Sequence, residues 1–182
     1  MGLVMLGTGS SASLEDMVQY DAYKTQHENI ICGLAISMVL IMFGKQEAAD
    51  DLIKTLLDDP DPTLRYGGIM TIAVAYCRTG SSKAIQQLLH DAVSDINDDV
   101  RRVAVMSLGF ILFRKPNAVP RIGELRSEVY NPHVRYSTSL ALGISCAGTG
   151  HNETIDLLEP IIKNPTDFVH EGALISMAII LV

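Results

Sequence analysis

Apolar positions along this chain return in two rhythms. In the first, Ala84, Ile85, Leu88, Leu89 and Ala92 fall on one face of a helix with polar residues between them. Thr154, Ile155, Leu158 and Ile162 take the same places 70 residues later, and Ala49, Leu52, Ile53 and Leu56 do so one period earlier. In the second rhythm the apolar residues leave hardly any polar face, as from Ile30 to Phe43. A helix that is apolar all round is buried on all sides. The pattern predicts an all-α chain in which buried helices alternate with amphipathic ones.

The alternation is periodic. Thr63-Leu64-Arg65-Tyr66-Gly67-Gly68-Ile69-Met70 aligns with Asp99-Val100-Arg101-Arg102-Val103-Ala104-Val105-Met106. His133-Val134-Arg135-Tyr136-Ser137-Thr138-Ser139-Leu140 and Phe168-Val169-His170-Glu171-Gly172-Ala173-Leu174-Ile175 continue the column. Arg65, Arg101, Arg135 and His170 are separated by 36, 34 and 35 residues, and Ile30 stands 35 before Arg65. A period of about 35 is that of two-helix solenoid units. Turns rich in Asp, Asn and Pro (Asp58 to Pro62, Asn97 to Asp99, Asn131-Pro132, Asn164-Pro165) stop one helix and cap the next. The expected units are 28–62, 63–98, 99–132 and 133–167, with partial copies at 1–27 and 168–182.

Small residues recur inside the buried helices. Gly33, Gly68, Ala104, Thr138 and Ala173 form one column, and Ala73, Gly109, Gly143 and Ala178 another. An interior glycine costs a helix about 1 kcal/mol against alanine, so its repetition requires a compensating gain. Close approach between neighbouring helices supplies it. The expectation is a tight inner layer of first helices covered by the amphipathic second helices. Such a solenoid curves strongly and forms part of a curved or closed toroid. Met1 to Leu6 begins inside a helical pattern and Ala178 to Val182 stops in one, neither with the polar cap of a terminal repeat. Further repeats are therefore expected on both sides.

Composition agrees with helix-on-helix packing. Only 5% of residues are aromatic and none is Trp, whereas a β-sandwich would carry more aromatic residues in alternating runs. The net charge of −7 opposes general nucleic-acid binding, which needs a basic surface. The charge is uneven, however. Glu47, Asp50, Asp51, Asp58, Asp59 and Asp61 outweigh Lys45 and Lys54 in one stretch. Arg101, Arg102, Arg114, Lys115, Arg121, Arg126 and Arg135 outweigh Asp99, Glu124 and Glu128 in the next. The run from Ile30 to Phe43 is too short to cross a bilayer, and no secretory signal is visible. Cys32, Cys77 and Cys146 lie far apart in apolar stretches, as reduced buried thiols of a cytoplasmic or nuclear protein do.

Catalytic, cofactor and metal chemistry find no foothold. His27, His90, His133, His151 and His170 sit in different repeats without ligand spacing. Gly143-Ile144-Ser145-Cys146-Ala147 lacks the closing glycine of a nucleophile elbow and lies within a helix. Gly7-Thr8-Gly9-Ser10, Thr79-Gly80-Ser81-Ser82 and Gly148-Thr149-Gly150 lack the lysine of a phosphate loop. Gly9, Gly80 and Gly150 are 71 and 70 residues apart, two periods each, so they read as glycine turns ending the first helices. The arginine column reads as a ladder of hydrogen bonds to turn carbonyls or carboxylates of an adjacent repeat.

Several longer stretches resemble a known family. They are Leu88 to Val105, Ser107-Leu108-Gly109-Phe110-Ile111-Leu112-Phe113-Arg114, Tyr130 to Tyr136, Cys146 to Gly150, and Asp156-Leu157-Leu158-Glu159-Pro160. They are similar to the proteasome/cyclosome repeats of the largest non-ATPase subunit in the base of the proteasome's regulatory particle. The resemblance runs in register over essentially the whole chain. It implies a HEAT-like toroid of two concentric helical rings, a scaffold without catalysis that supports ubiquitin-dependent protein degradation. The implied partners are base ATPases, lid subunits and a ubiquitin receptor, with no nucleic acid and no membrane. A second reading, from the charge asymmetry, is a module that itself captures ubiquitin or ubiquitin-like domains through the Glu47 to Asp61 region.

Overall fold

The computed structural model describes residues 2–24, 28–115, 131–163 and 167–182. Among them every regular element is helical. The chain divides into two compact units, Met1–Tyr76 and Cys77–Val182.

The first unit holds α1 (Ser11–Lys24), α2 (Glu28–Ile41), α3 (Asp50–Leu57) and α4 (Pro62–Ala75), with a 3-10 turn at Gln46–Ala49 leading into α3. Helix α2 packs on α4, and α3 packs on α4 as well. Met38, Ile41, Ile53, Leu56, Ile69 and Ile72 are buried there. Full burial of one such side chain contributes about 1.5–3 kcal/mol.

The second unit holds α5 (Ser82–Ser94), α6 (Asp98–Ile111), α7 (Pro132–Ser145), α8 (Asn152–Ile162) and α9 (Asp167–Leu181). Here α6 packs on α7 and α7 on α9, while α5 lies on α6 and α8 on α9. Leu112, Ala141, Leu142, Cys146, Leu158, Ala173 and Ile180 form its core.

Within each unit the order is the same: successive first helices pack on one another, and each second helix packs on the first helix that follows it. Eight of the fourteen residues of α4 are buried, and eight of the fourteen in α6 and in α7. Only three residues of α5 and two of α8 are buried. The two rhythms of the sequence thus correspond to two environments.

Polar side chains inside the buried helices bond to backbone carbonyls. The Thr71 hydroxyl donates to Gly67 at 2.8 Å and that of Thr138 to Val134 at 2.9 Å. Ser176 donates both within its own helix, to Gly172, and across to Ser139 in α7, each at 2.7 Å. Among the described residues the Ser107 hydroxyl and Arg135 Nε are buried without a partner.

Two close approaches account for the glycine column. A Cβ on Gly109 would lie 2.8 Å from the Ala141 carbonyl oxygen, and one on Gly143 would lie 2.7 Å from the Ser176 Cα. Gly33 behaves differently: nothing lies within 4 Å of its Cβ position. The expected register of the first copy is one residue off. The first helices end at Ile41, Ala75, Ile111 and Ser145, spacings of 34, 36 and 34. Ile31 rather than Ile30 therefore matches Arg65, and Gly33 matches Gly67 rather than Gly68.

Candidate interaction edges of the repeats

The turns before α4 and α6 are each built from two nested side-chain bonds and one arginine. In Asp59-Pro60-Asp61, Asp59 Oδ1 accepts from the Asp61 N–H and Asp61 Oδ1 accepts from the Thr63 N–H, each at 2.8 Å. In Asp95-Ile96-Asn97, Asp95 Oδ1 accepts from the Asn97 N–H at 2.7 Å. Asn97 Oδ1 in turn accepts from Asp99 at 2.8 Å and Val100 at 3.3 Å. These side chains satisfy helix N–H groups that have no intrahelical acceptor. Asn131 caps α7 through the His133 N–H at 2.9 Å, and its amide also reaches Asp98 Oδ1 at 3.3 Å.

The arginine column closes these turns. Arg65 donates to the carbonyls of Asp59 at 3.1 Å and Pro60 at 2.9 Å. Arg101 donates to Asp95 at 2.6 Å and Ile96 at 3.3 Å, and also pairs with Asp98. The ladder expected from sequence is thus a staple to the turn that precedes each arginine's own helix. The equivalent acceptors for Arg135, at 129 and 130, lie outside the described residues.

After α2, α4, α6 and α7, and before α1, the chain makes a left-handed turn. Gly9, Gly44, Gly80, Gly148 and Gly150 have φ between 60° and 70°, as expected of glycine, and Gly7 has 65°. Arg78 and Arg114 adopt φ of 64° and 57° at equivalent places. The N–H groups of these turns donate to carbonyls at the end of the next first helix. Gly7 bonds Leu40 at 2.9 Å and Gly44 bonds Val74 at 3.2 Å. Arg78 bonds Phe110 at 3.0 Å, Arg114 bonds Ser145 at 2.8 Å and Gly148 bonds Ile179 at 3.1 Å. Gly9, Gly80 and Gly150 add a second bond, to Ile41, Ile111 and Ile180. Carbonyls that would otherwise end a helix unpaired are therefore capped by the neighbouring repeat. Sequence reasoning found the glycines and their two-period spacing but missed these bonds. The signal was the repeated position itself, occupied by arginine at 78 and 114.

The acidic stretch divides on inspection. Asp59 and Asp61 are held by their turns, and Asp50 Oδ1 accepts a 2.6 Å bond from the Tyr76 hydroxyl. Burial, then this carboxylate, holds the Tyr76 phenol well above its ordinary range. Glu47, Asp51 and Asp58 remain exposed. In the basic stretch Arg101 is stapled, Arg102 pairs with Asp99 at 3.1 Å, and Arg114 and Lys115 are exposed. Arg121, Glu124, Arg126 and Glu128 lie outside the described residues, as do His27 and the Asn164-Pro165 turn.

The remaining reactive groups are structural in their surroundings. Cys146 is fully buried, with its sulfur 3.3 Å from the Thr154 hydroxyl, which lies 2.9 Å from His151 Nδ1. Ser145 beside it donates to the Leu142 carbonyl at 3.0 Å. Burial pushes the Cys77 thiol up, against a smaller opposing effect of Arg78, so the thiolate is disfavoured. His90 faces Ser94, and His133 stacks on Phe168 with centroids 4.8 Å apart. Among the described residues no three His, Cys, Asp or Glu converge on a metal position. No described helix is long and apolar enough to cross a membrane.

The 26S proteasome regulatory subunit rpn2 of Schizosaccharomyces pombe is 54% identical over 181 residues, covering all of this chain and 19% of that protein. The 26S proteasome non-ATPase regulatory subunit 1 of Drosophila melanogaster is 56% identical over 183 residues, covering all of this chain and 18% of that protein. The chain thus spans about a fifth of the length of the curated relatives it matches. A solved structure of a designed armadillo repeat protein aligns at 17% identity with a TM-score of 0.42, over 96% of this chain and 89% of that one. The family model for HEAT repeats matches residues 21–109 and again 86–178. With its paired helices, its stapled turns and these two overlapping matches, the chain belongs to the HEAT-repeat family.

Proposed function

We propose that this chain is a non-catalytic scaffold segment of the 26S proteasome regulatory particle, supporting its assembly and ubiquitin-dependent protein degradation. One observation carries the reading: identity of 54% and 56% to named proteasome regulatory subunits across the whole of the chain. The architecture supports it. Stacked helix pairs present long edges and no enclosed polar cleft is required for such a role. The partners in this reading are the base ATPases, lid subunits and a ubiquitin receptor, in the cytoplasm and nucleus. Residues 28–62, 63–98, 99–132 and 133–167 are its repeat units. The alternative, direct capture of ubiquitin by the acidic stretch, has less support because Asp50, Asp59 and Asp61 are engaged in the fold.

Fractionation of source-cell extract on a native gel tests the proposal. The full-length protein comigrates with proteasome peptidase activity if it holds, and migrates apart from it if it does not. Titration of labelled ubiquitin chains against this segment separates the alternative, which requires saturable binding.

A further inference from the structure

We propose that Arg78, Phe113, Arg114 and Lys115, at the left-handed turns of the second unit, form a docking edge for an acidic peptide segment of a partner protein. The inference rests on the scaffold reading and names one surface through which such a scaffold would hold a partner. Arg78 and Arg114 occupy backbone positions with φ of 64° and 57°, which L side chains seldom adopt. Other turns place glycine at this position, as Gly44 and Gly148 show. The backbone N–H of each arginine already caps the neighbouring helix, a task glycine performs equally. What arginine adds is its side chain.

Those side chains converge. The guanidinium carbons of Arg78 and Arg114 each lie 5.8 Å from the centroid of the Phe113 ring. A guanidinium resting on a ring keeps its N–H edge free to bind a carboxylate through two parallel bonds. Both arginines are exposed, and neither is ion-paired with a carboxylate among the described residues. Lys115 is held in the same place: its ammonium donates to the Thr79 carbonyl at 2.7 Å and packs over Gly80. Three cations and an aromatic ring thus lie on one edge, where an acidic segment of a few residues finds complementary charge. A nucleic acid fits less well, because the chain as a whole carries −7 and repels a long polyanion.

The experiment is a fluorescence-anisotropy titration of fluorescein-labelled deca-glutamate against this chain and its R78G/R114G variant. Deca-glutamine and a DNA duplex of similar length serve as comparison probes. Glycine fits both backbone positions, so the variant retains the wild-type melting midpoint or exceeds it, while affinity for deca-glutamate falls by about fivefold or more. Rising salt weakens the wild-type interaction and leaves the residual binding of the variant little changed. Equal affinity in the two proteins overturns the proposal, as does no wild-type binding at high micromolar concentration. So does a duplex that binds more tightly than deca-glutamate. A variant that melts lower than wild type overturns it as well, since the arginines would then be held for stability. None of these outcomes alters proteasome comigration of the full-length protein, so failure here is distinct from failure of the scaffold reading.

Discussion

Gly109 of α6 faces the backbone of Ala141 in α7 so closely that a Cβ would stand 2.8 Å from the Ala141 carbonyl oxygen and 2.9 Å from its Cα. The obstacle is main chain, which cannot rotate aside as a side chain can. Overpacking of this kind costs roughly 1–3 kcal/mol. Gly109→Leu is therefore expected to lower the unfolding free energy by at least that amount, and Gly109→Ala by less. At exposed Gly33, alanine meets nothing and gains about 1 kcal/mol of helix propensity. Gly33→Ala should raise the midpoint, and the opposite signs at two helical glycines are the diagnostic result.

Arg101 and Arg102 are adjacent and differ in what they hold. Arg101 bonds two turn carbonyls as well as Asp98, whereas Arg102 makes one exposed pair with Asp99. Lysine cannot reproduce the two-carbonyl fork. Arg101→Lys should destabilise the chain by about 1 kcal/mol, and Arg102→Lys by less than about 0.5 kcal/mol. Chemical denaturation of the two variants side by side checks the contrast.

Much of this was legible beforehand. The alternation of all-round apolar and one-faced helices identified α4, α6 and α7 as buried, because burial is what composition around a helix records, but the run from Ile30 to Phe43, read as buried on all sides, leaves Ile30, Ile36 and Phe43 exposed. Gly109 and Gly143 marked close approach for the same reason. Gly33 did not, since spacing alone cannot say whether a neighbour stands opposite a given glycine. The ladder from the left-handed turns was invisible because backbone N–H groups leave no trace in residue identity. Arg78 and Arg114 even disguised two of its positions, where glycine would have announced them. The acidic stretch misled in another way: charge counts do not separate Asp59 and Asp61, which cap turns, from Asp51 and Asp58, which face water.

Tyr76 gives the fold a dependence on alkaline pH. Burial and the Asp50 carboxylate raise the phenol above its ordinary value near 10. A raised folded value means the stabilisation is complete below the unfolded pKa and is lost as pH rises through the folded one. Above about pH 10 the wild type should lose stability by up to about 1.4 kcal/mol per unit beyond the loss seen in Tyr76→Phe. At pH 7 the variant should be the weaker of the two by about 1 kcal/mol, having lost the 2.6 Å bond. Urea unfolding of both proteins from pH 7 to 11.5 should show the gap closing with pH.

Gly80 combines a left-handed backbone with contact against the Lys115 ammonium. Gly80→Ala is expected to cost about 1–2 kcal/mol from backbone conformation, with an added penalty from displacing Lys115. In a Lys115→Ala background the added penalty disappears. A double-mutant cycle measures it as the difference between the two backgrounds.

The proposed scaffold role requires that the full-length protein act within the proteasome's regulatory particle. Affinity purification of the tagged full-length protein from its source cells, followed by quantification of copurifying subunits, tests this most directly. Base ATPases and lid subunits are expected in near-equal amounts, with peptidase activity in the same fraction. A protein recovered free of both, under conditions that leave proteasomes intact, would contradict it.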